Sequence, residues 1–366
     1  MVKRKPSRPP PNSQTSKARS GDWKPKNPGK PQEANGNGRG EQQILLDIFK
    51  SVFAETLSSA TFATTLQDVK TALFNRDFGK AFGSEPFLDV YAARWSPTRA
   101  LCYASILSSI QAYLEDIYQP CPDGQAPELS PPAKHLAVLA VGAAAAETVA
   151  FGGFLRSTPA VGGSLTLVDS GPWTSIIHRL RAAVTTPPEV SVYASAAAKA
   201  SNAAVVAPSR LAATHLRRDV LQLDGDELAA LAGPAPLLVT LFFTLNELFT
   251  SGGVGSTTAF LLRLGDAVRP GSLLLVVDSP GSYSETSVGA QARRYPMQWL
   301  LDKVLLATGN GGGGEDDAKS GTWEKLESQD SVWFRLSQGL DYPIALEDMR
   351  YQLHLYRRLS PPETTK

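Results

Sequence analysis

The 366-residue chain predicts a doubly wound α/β sheet behind a set of N-terminal helices. Two observations carry that expectation. From Lys134 onward, short and nearly continuous apolar runs alternate with helical patterns, as strands buried on both faces do with their crossover helices. Ahead of Pro120 the apolar residues recur instead at helical spacing, with Ile44, Leu45, Ile48, Phe49, Val52 and Phe53 on one face.

Residues 1–40 hold ten Lys or Arg against two acids, Asp22 and Glu33, whereas the remainder holds 26 against 33. Rich in Pro, Asn and Gly, this stretch cannot bury enough apolar surface to order itself, so a disordered basic tail is expected. Its charge suits nuclear targeting or attraction to a phosphate backbone. A helical cap is expected over 41–119, with one helix from Gln43 to Ser58 and a second from Thr61 to Phe74. A third begins with Ser96 as side-chain cap and Pro97 at the first helical position, and runs to Tyr118. Residues 119–134, with five prolines and Gly124, read as a linker.

Strands are expected at 136–141, 164–168, 219–223, 236–243 and 272–277, with helices between them, among them Thr257 to Val268. The Ala/Ser-rich stretch 194–208 fits either class. Residues 309–321 read as a flexible glycine-rich loop, and two late strands follow, Val332 to Leu336 and Tyr351 to Tyr356. Five parallel strands closed by a late pair form the layout of the Rossmann-like class I methyltransferase sheet, which places that domain at 134–358.

Composition narrows the function classes. Two cysteines, Cys102 and Cys121, make no disulfide framework, and with four scattered histidines they give no metal-ligand spacing. The longest apolar runs are about half of what a membrane span needs, and no apolar signal region opens the chain. An intracellular protein with neither metal nor membrane partner is expected.

In such a sheet the ligand lies beyond the carboxyl ends of the strands, where strand order reverses. Strand one ends at Val141-Gly142 and runs into Ala143 to Ala146, so Gly142 and Ala144 are the candidates for close backbone approach. Asp169 closes strand two, where an acid can accept hydrogen bonds from a ribose diol. Asp219 and Val220 are candidates to flank the adenine. Strand four ends at Thr244, Asn246 and Glu247. A dinucleotide would want further glycines for its pyrophosphate, so S-adenosylmethionine (SAM) is the preferred cofactor over NAD.

The stretches NRDFGKAF, YAARWSPTRALCY, LVTLFFTLNELF and LLLVVDSPGSYSE resemble the fungal 25S rRNA uridine-N3 methyltransferase family, over about Gln43 to Arg358. The resemblance implies a class I methyltransferase fold, SAM as donor and large-subunit rRNA, free or in a preribosome, as substrate. Ala143 to Ala146 depart from the family pattern, which has further glycines there. N3 lies on the Watson–Crick edge, so the uridine must be unpaired or flipped out. On that reading Glu247 is the candidate base, Asn246 orients the uracil, and Arg99 stabilises the developing anion or holds a flanking phosphate. Trp95 or Tyr283 stacks on the base, with Arg94 beside it on the substrate side. A nuclear or nucleolar location, with a cytoplasmic pool beside it, follows from the tail and the substrate. The rival reading of the alanine run is a methyltransferase-fold protein that binds rRNA during ribosome assembly without catalysis.

Overall fold

A computed structural model describes residues 36–120, 133–200, 202–281, 283–288, 291–306 and 322–360. Residues 1–35, most of the 119–134 linker and the 309–321 loop fall outside them. Seven long strands make one sheet: β1 (Lys134–Val141), β2 (Val161–Asp169), β3 (Leu211–Arg217), β4 (Leu238–Phe242), β5 (Leu273–Asp278), β6 (Trp323–Phe334) and β7 (Met349–Arg358). Their order is 3-2-1-4-5-7-6. The first five run parallel, and β7 lies antiparallel to both β5 and β6. The strand order reverses between β1 and β4. A two-residue pairing of Gln119–Pro120 extends β1 at its amino end.

Alternation along the central strands divides the core in two. Leu136, Val138 and Ala140 face a cluster shared with the N-terminal helices and with α4 (Ala145–Ser157) and α5 (Thr174–Thr185). Leu139 and Val141 face the opposite cluster, which holds α6 (Gly225–Ala232), α7 (Gly253–Ala267) and α8 (Met297–Leu305). With both faces covered, these strands are apolar at nearly every central position, Thr240 of β4 being the exception. Of the N-terminal helices, α1 (Gly36–Val52) contributes Leu46 and Phe49 to the first cluster and α3 (Glu85–Ser109) contributes Leu88 and Tyr103, while α2 (Phe62–Phe74) packs against it through Phe62, so the expected cap shares the core of the sheet.

Three expectations need correction. The third strand is not 219–223, which forms a 3₁₀ turn at Val220–Gln222 started by Asp219, whose Oδ1 accepts from the Leu221 amide at 3.0 Å. The real strand, Leu211–Arg217, is an edge whose residues after Leu211 are half or fully exposed, so it shows no continuous apolar run. Ser96-Pro97 does not start a helix. α3 starts after Ser84 with Pro86 in its first turn, and Pro97 lies inside it. Proline has no N–H for the carbonyl four residues back, and the Tyr342 hydroxyl donates to that Ala93 carbonyl instead, at 2.8 Å. Finally, residues 36–40, expected in the tail, form the first turns of α1, where Arg39 donates to the Gly339 carbonyl at 2.6 Å.

Candidate active site

The carboxyl ends of β1, β2 and β4 open into a cleft of about 520 Å³, within the roughly 300–1,000 Å³ of small-molecule sites. At its floor the chain leaves β1 through Gly142, whose φ is +64°. Its amide donates to the Val168 carbonyl at 2.8 Å. A Cβ there would lie 2.3 Å from both Cγ2 and Oγ1 of Thr244, so strands one and four meet too closely for a side chain. Left-handed φ and lack of space together require glycine. No other residue of the 142–146 turn has positive φ. Thr244 in turn directs its hydroxyl among the carbonyls of Val141, Gly142 and Phe242, at 3.1–3.3 Å.

α4 begins beside this turn, and its positive dipole end faces the cleft. Glu147 Oε2 accepts from the Ala144 amide at 2.9 Å, satisfying one of the free donors of that helix end. The Glu147 side chain is buried, and desolvation raises its pKa to about 7 against the pull of two backbone amides and Arg99. Asp169 closes β2. Its Oδ1 accepts from the Gly171 amide at 2.6 Å and from the Trp173 indole at 3.1 Å, while Oδ2 accepts no bond from the described residues. Burial lifts this carboxyl to about 6 despite those donors. Glu247 is raised to about 7 by desolvation, with Arg99 pulling it down and Asp278 and Asp169 pushing it up.

Arg99 enters from α3. Its guanidinium donates to the Tyr91 hydroxyl and lies over the Phe243 ring, 5.1 Å from its centre. No carboxylate within 4 Å pairs with it among the described residues. Half-buried among Tyr91, Phe243, Glu147 and Glu247, it faces the cleft as a cation held mainly by aromatic rings. Phe243 has φ +56°, which is rare for a bulky residue and is found where surrounding structure overrides backbone preference. Phe82, Tyr91 and Trp173 form a further aromatic wall, with ring centres 5.0–6.2 Å apart.

The cleft brings together Gly142, Ala144, Asp169, Asp219, Thr244, Glu247 and Arg99 of the expected residues. Others lie apart. Asn246 is absent from the lining, and its Oδ1 is buried without a partner. Its amide donates to Asp278 Oδ2 at 3.1 Å, which fixes the turn that carries Glu247. Val220 points into the core and its neighbour Leu221 lines the cleft instead. Arg94 pairs with Glu347 at 2.5 Å, and Trp95 packs on Tyr91 behind the wall. Tyr283 opens a short hairpin that pairs Tyr283–Val288 with Gln291–Pro296, and its side chain lies outside the described part of the structure. Sequence reasoning assigned no role to Glu147, although an acid three positions after Ala144 is a helix-capping signal. It also missed Phe243, Tyr91, Phe82 and Trp173.

The family described as "Putative SAM-dependent methyltransferase" matches residues 49–357. The chain belongs to that family. This methyltransferase is 30% identical over 342 residues to the Saccharomyces cerevisiae protein named 25S rRNA (uridine(2843)-N(3))-methyltransferase, covering 86% of this chain and 85% of the yeast one. Among solved structures it overlaps an O-methyltransferase family protein from Burkholderia thailandensis (14% identity, 83% and 74% of the two chains, TM-score 0.35). A Nostoc punctiforme protein described as a "putative O-methyltransferase" overlaps similarly (12% identity, 84% and 71%, TM-score 0.36). Overlap at that level adds no weight, and the fold assignment rests on strand order and family. The residues fit the family's cofactor: a glycine-floored turn at a helix start, a free carboxylate oxygen on Asp169 and a cleft of matching size. Among the described residues no cluster of His, Cys, Asp or Glu could hold a metal, and no helix is long and apolar enough to cross a membrane.

Proposed function

We propose that this methyltransferase transfers the methyl of SAM to N3 of a uridine in large-subunit rRNA. The relation to the yeast enzyme over 85% of its length supports that reading. The observation that carries it in the geometry is Arg99 and Glu247 facing one cleft beside Gly142 and Asp169. The Gly142–Ala144 turn and the start of α4 receive the methionine end, Asp169 Oδ2 accepts from the ribose, and Asp219 with Leu221 bounds the adenine. Bound there, the cofactor supplies an electrophilic methyl on a positively charged sulfur.

N3 of uridine carries a proton and is no nucleophile until that proton leaves. Glu247 accepts it. A carboxylate with pKa about 7 is matched to the task near neutral pH. As the proton leaves, charge develops on N3 and the flanking carbonyl oxygens. Arg99, already desolvated and without a carboxylate partner among the described residues, is preorganised to stabilise it. Phe243 presents a flat apolar surface in the same wall and excludes water from the reacting atoms. The general base contributes roughly 10²–10⁴-fold, so Glu247→Gln slows single-turnover methylation on that scale. The variant also loses the rise in rate as pH passes through about 7.

The basic tail supports nuclear or nucleolar localisation and extra affinity for rRNA in a preribosome. Mass spectrometry of rRNA nucleosides from cells lacking this protein tests the reading. One 3-methyluridine disappears, and returns with the wild-type chain but not with Asp169→Ala. An unchanged nucleoside profile overturns it.

A further inference from the structure

The edge strand β6 and the two residues that follow it present two different rows of side chains. Val332, Phe334 and Leu336 pack against the core on the side of the N-terminal helices. Ser331, Trp333 and Arg335 alternate with them and are exposed, the pattern a pleated strand imposes. Trp333 is 51% exposed, unusual for the largest apolar side chain on an open edge. Across the ladder its partner is Arg350. The guanidinium of Arg335 lies 4.3 Å from the centre of the Trp333 ring and that of Arg350 lies 5.7 Å away. Arg335 also pairs with Asp348 at 2.6 Å. Arg350 donates its Nε to the Ser331 hydroxyl at 2.8 Å, and among the described residues no carboxylate lies within 4 Å of it.

Topology fixes where this group sits. Gln352 of β7 pairs with Asp278, the last residue of β5. Arg350 and Trp333 therefore lie two residues further along, roughly 7 Å beyond the carboxyl end of β5. That is the end of the sheet on which the catalytic cleft opens. Trp333 and its arginines face the side that carries α8, where Tyr295 and Trp299 stack with ring centres 5.0 Å apart. Lys303 lies 5.0 Å from the centre of the Trp299 ring.

We propose that Trp333, flanked by Arg335 and Arg350, is a stacking platform for an unpaired nucleobase of the substrate RNA, outside the cleft. This rests on the RNA reading given above. An aromatic face accepts any base, and a guanidinium plane extends that surface while attracting the adjoining phosphate. A target base must be drawn out of its helix to reach the cleft, and unpaired neighbours on the same strand need a surface once they leave their own stacks. An exposed indole between two cations provides one. A protein partner would gain less from this patch, because its apolar surface is a single ring rather than a contiguous face.

The test uses the full chain with a single-stranded RNA oligonucleotide, reading affinity by fluorescence anisotropy across a salt series, and SAM affinity by calorimetry. Trp333→Ala weakens RNA binding by roughly tenfold and leaves SAM affinity unchanged, while Trp333→Tyr retains most of it. Arg350→Ala lowers the slope of log affinity against log salt by about 0.7, as loss of one single-strand phosphate contact should. If wild type binds RNA and Trp333→Ala binds equally well, the platform is wrong while the RNA reading stands. If wild type binds no RNA at any salt, both fail. If Trp333→Ala instead abolishes self-association seen in sedimentation, the patch is a protein contact and the proposal is overturned.

Discussion

Substituting Gly142 by alanine separates two demands that meet at one atom. The φ of +64° alone costs an L-residue roughly 1–2 kcal/mol. The new Cβ would also meet Thr244 Cγ2 and Oγ1 at 2.3 Å, far inside the contact distance of roughly 3.5–4.0 Å. Thr244 must then shift, and overpacking of this kind costs roughly 1–3 kcal/mol. Gly142→Ala is therefore expected to lose roughly 2–5 kcal/mol of unfolding free energy in urea without cofactor. Because the turn floors the cleft, SAM affinity measured by calorimetry falls with it. Thr244→Ala removes the two nearest atoms, so Gly142→Ala/Thr244→Ala should recover about 1 kcal/mol or more relative to additivity. The recovery stays incomplete, since the strain in φ remains and the Thr244 Cβ would still lie 2.9 Å away. A Gly142→Ala variant within about 0.5 kcal/mol of wild type, the range of an ordinary surface change, refutes the steric reasoning.

Asp169→Asn should weaken SAM binding by about one to two powers of ten, the loss of a charge-assisted bond worth roughly 1.5–3 kcal/mol. Calorimetry on the folded variant checks it. Glu147 and Asp169 have folded-state pKa values of about 7 and about 6, above their ordinary 4.5 and 3.8. The folded protein therefore keeps protons that the unfolded chain has released, so stability without cofactor falls as pH rises from about 4 to about 7 and levels off above. Thermal scans across that window should show a shallower fall for Glu147→Gln, which keeps an acceptor for the Ala144 amide. Tyr342→Phe should cost roughly 1–3 kcal/mol by leaving the Ala93 carbonyl without its donor. Beside Pro97→Ala the same change should cost little, because the restored amide serves that carbonyl, and urea unfolding of the four variants measures the coupling.

What could be read from the sequence was whatever depends on neighbours along the chain. Strands β1, β4 and β5 are buried on both faces over most of their length, so apolar letters dominate there, Thr240 apart, and the run shows itself. Asp169 was legible because the end of a second strand is placed by topology, whichever helices pack around it. Strand β3 was not, since its exposed edge leaves polar letters where a central strand would have apolar ones. Pro97 misled for a related reason: the residue that makes an internal proline tolerable, Tyr342, lies 249 positions from the Ala93 carbonyl it serves.

That one error carried into the site. With a helix starting at Ser96, Arg94 and Trp95 belong to a free segment that could reach a substrate. In a continuous α3 their directions are set: five residues at roughly 100° each turn Arg94 about 140° from Arg99. Arg99 therefore faces the cleft while Arg94 turns towards Glu347. The aromatic wall was out of reach on different grounds. Phe82, Tyr91, Trp173 and Phe243 come from four separate segments with no common spacing, and only the packing of α3 and its preceding loop against the sheet brings them together. The same packing strips water from Glu147, Asp169 and Glu247 and raises all three carboxyls. Three acids poised between pH 6 and 7, two of them, Glu147 and Glu247, facing the Arg99 guanidinium, suit a site that must bind a cationic donor, take a proton and hold an anion. Their chemistry follows from burial that no stretch of the sequence displays on its own.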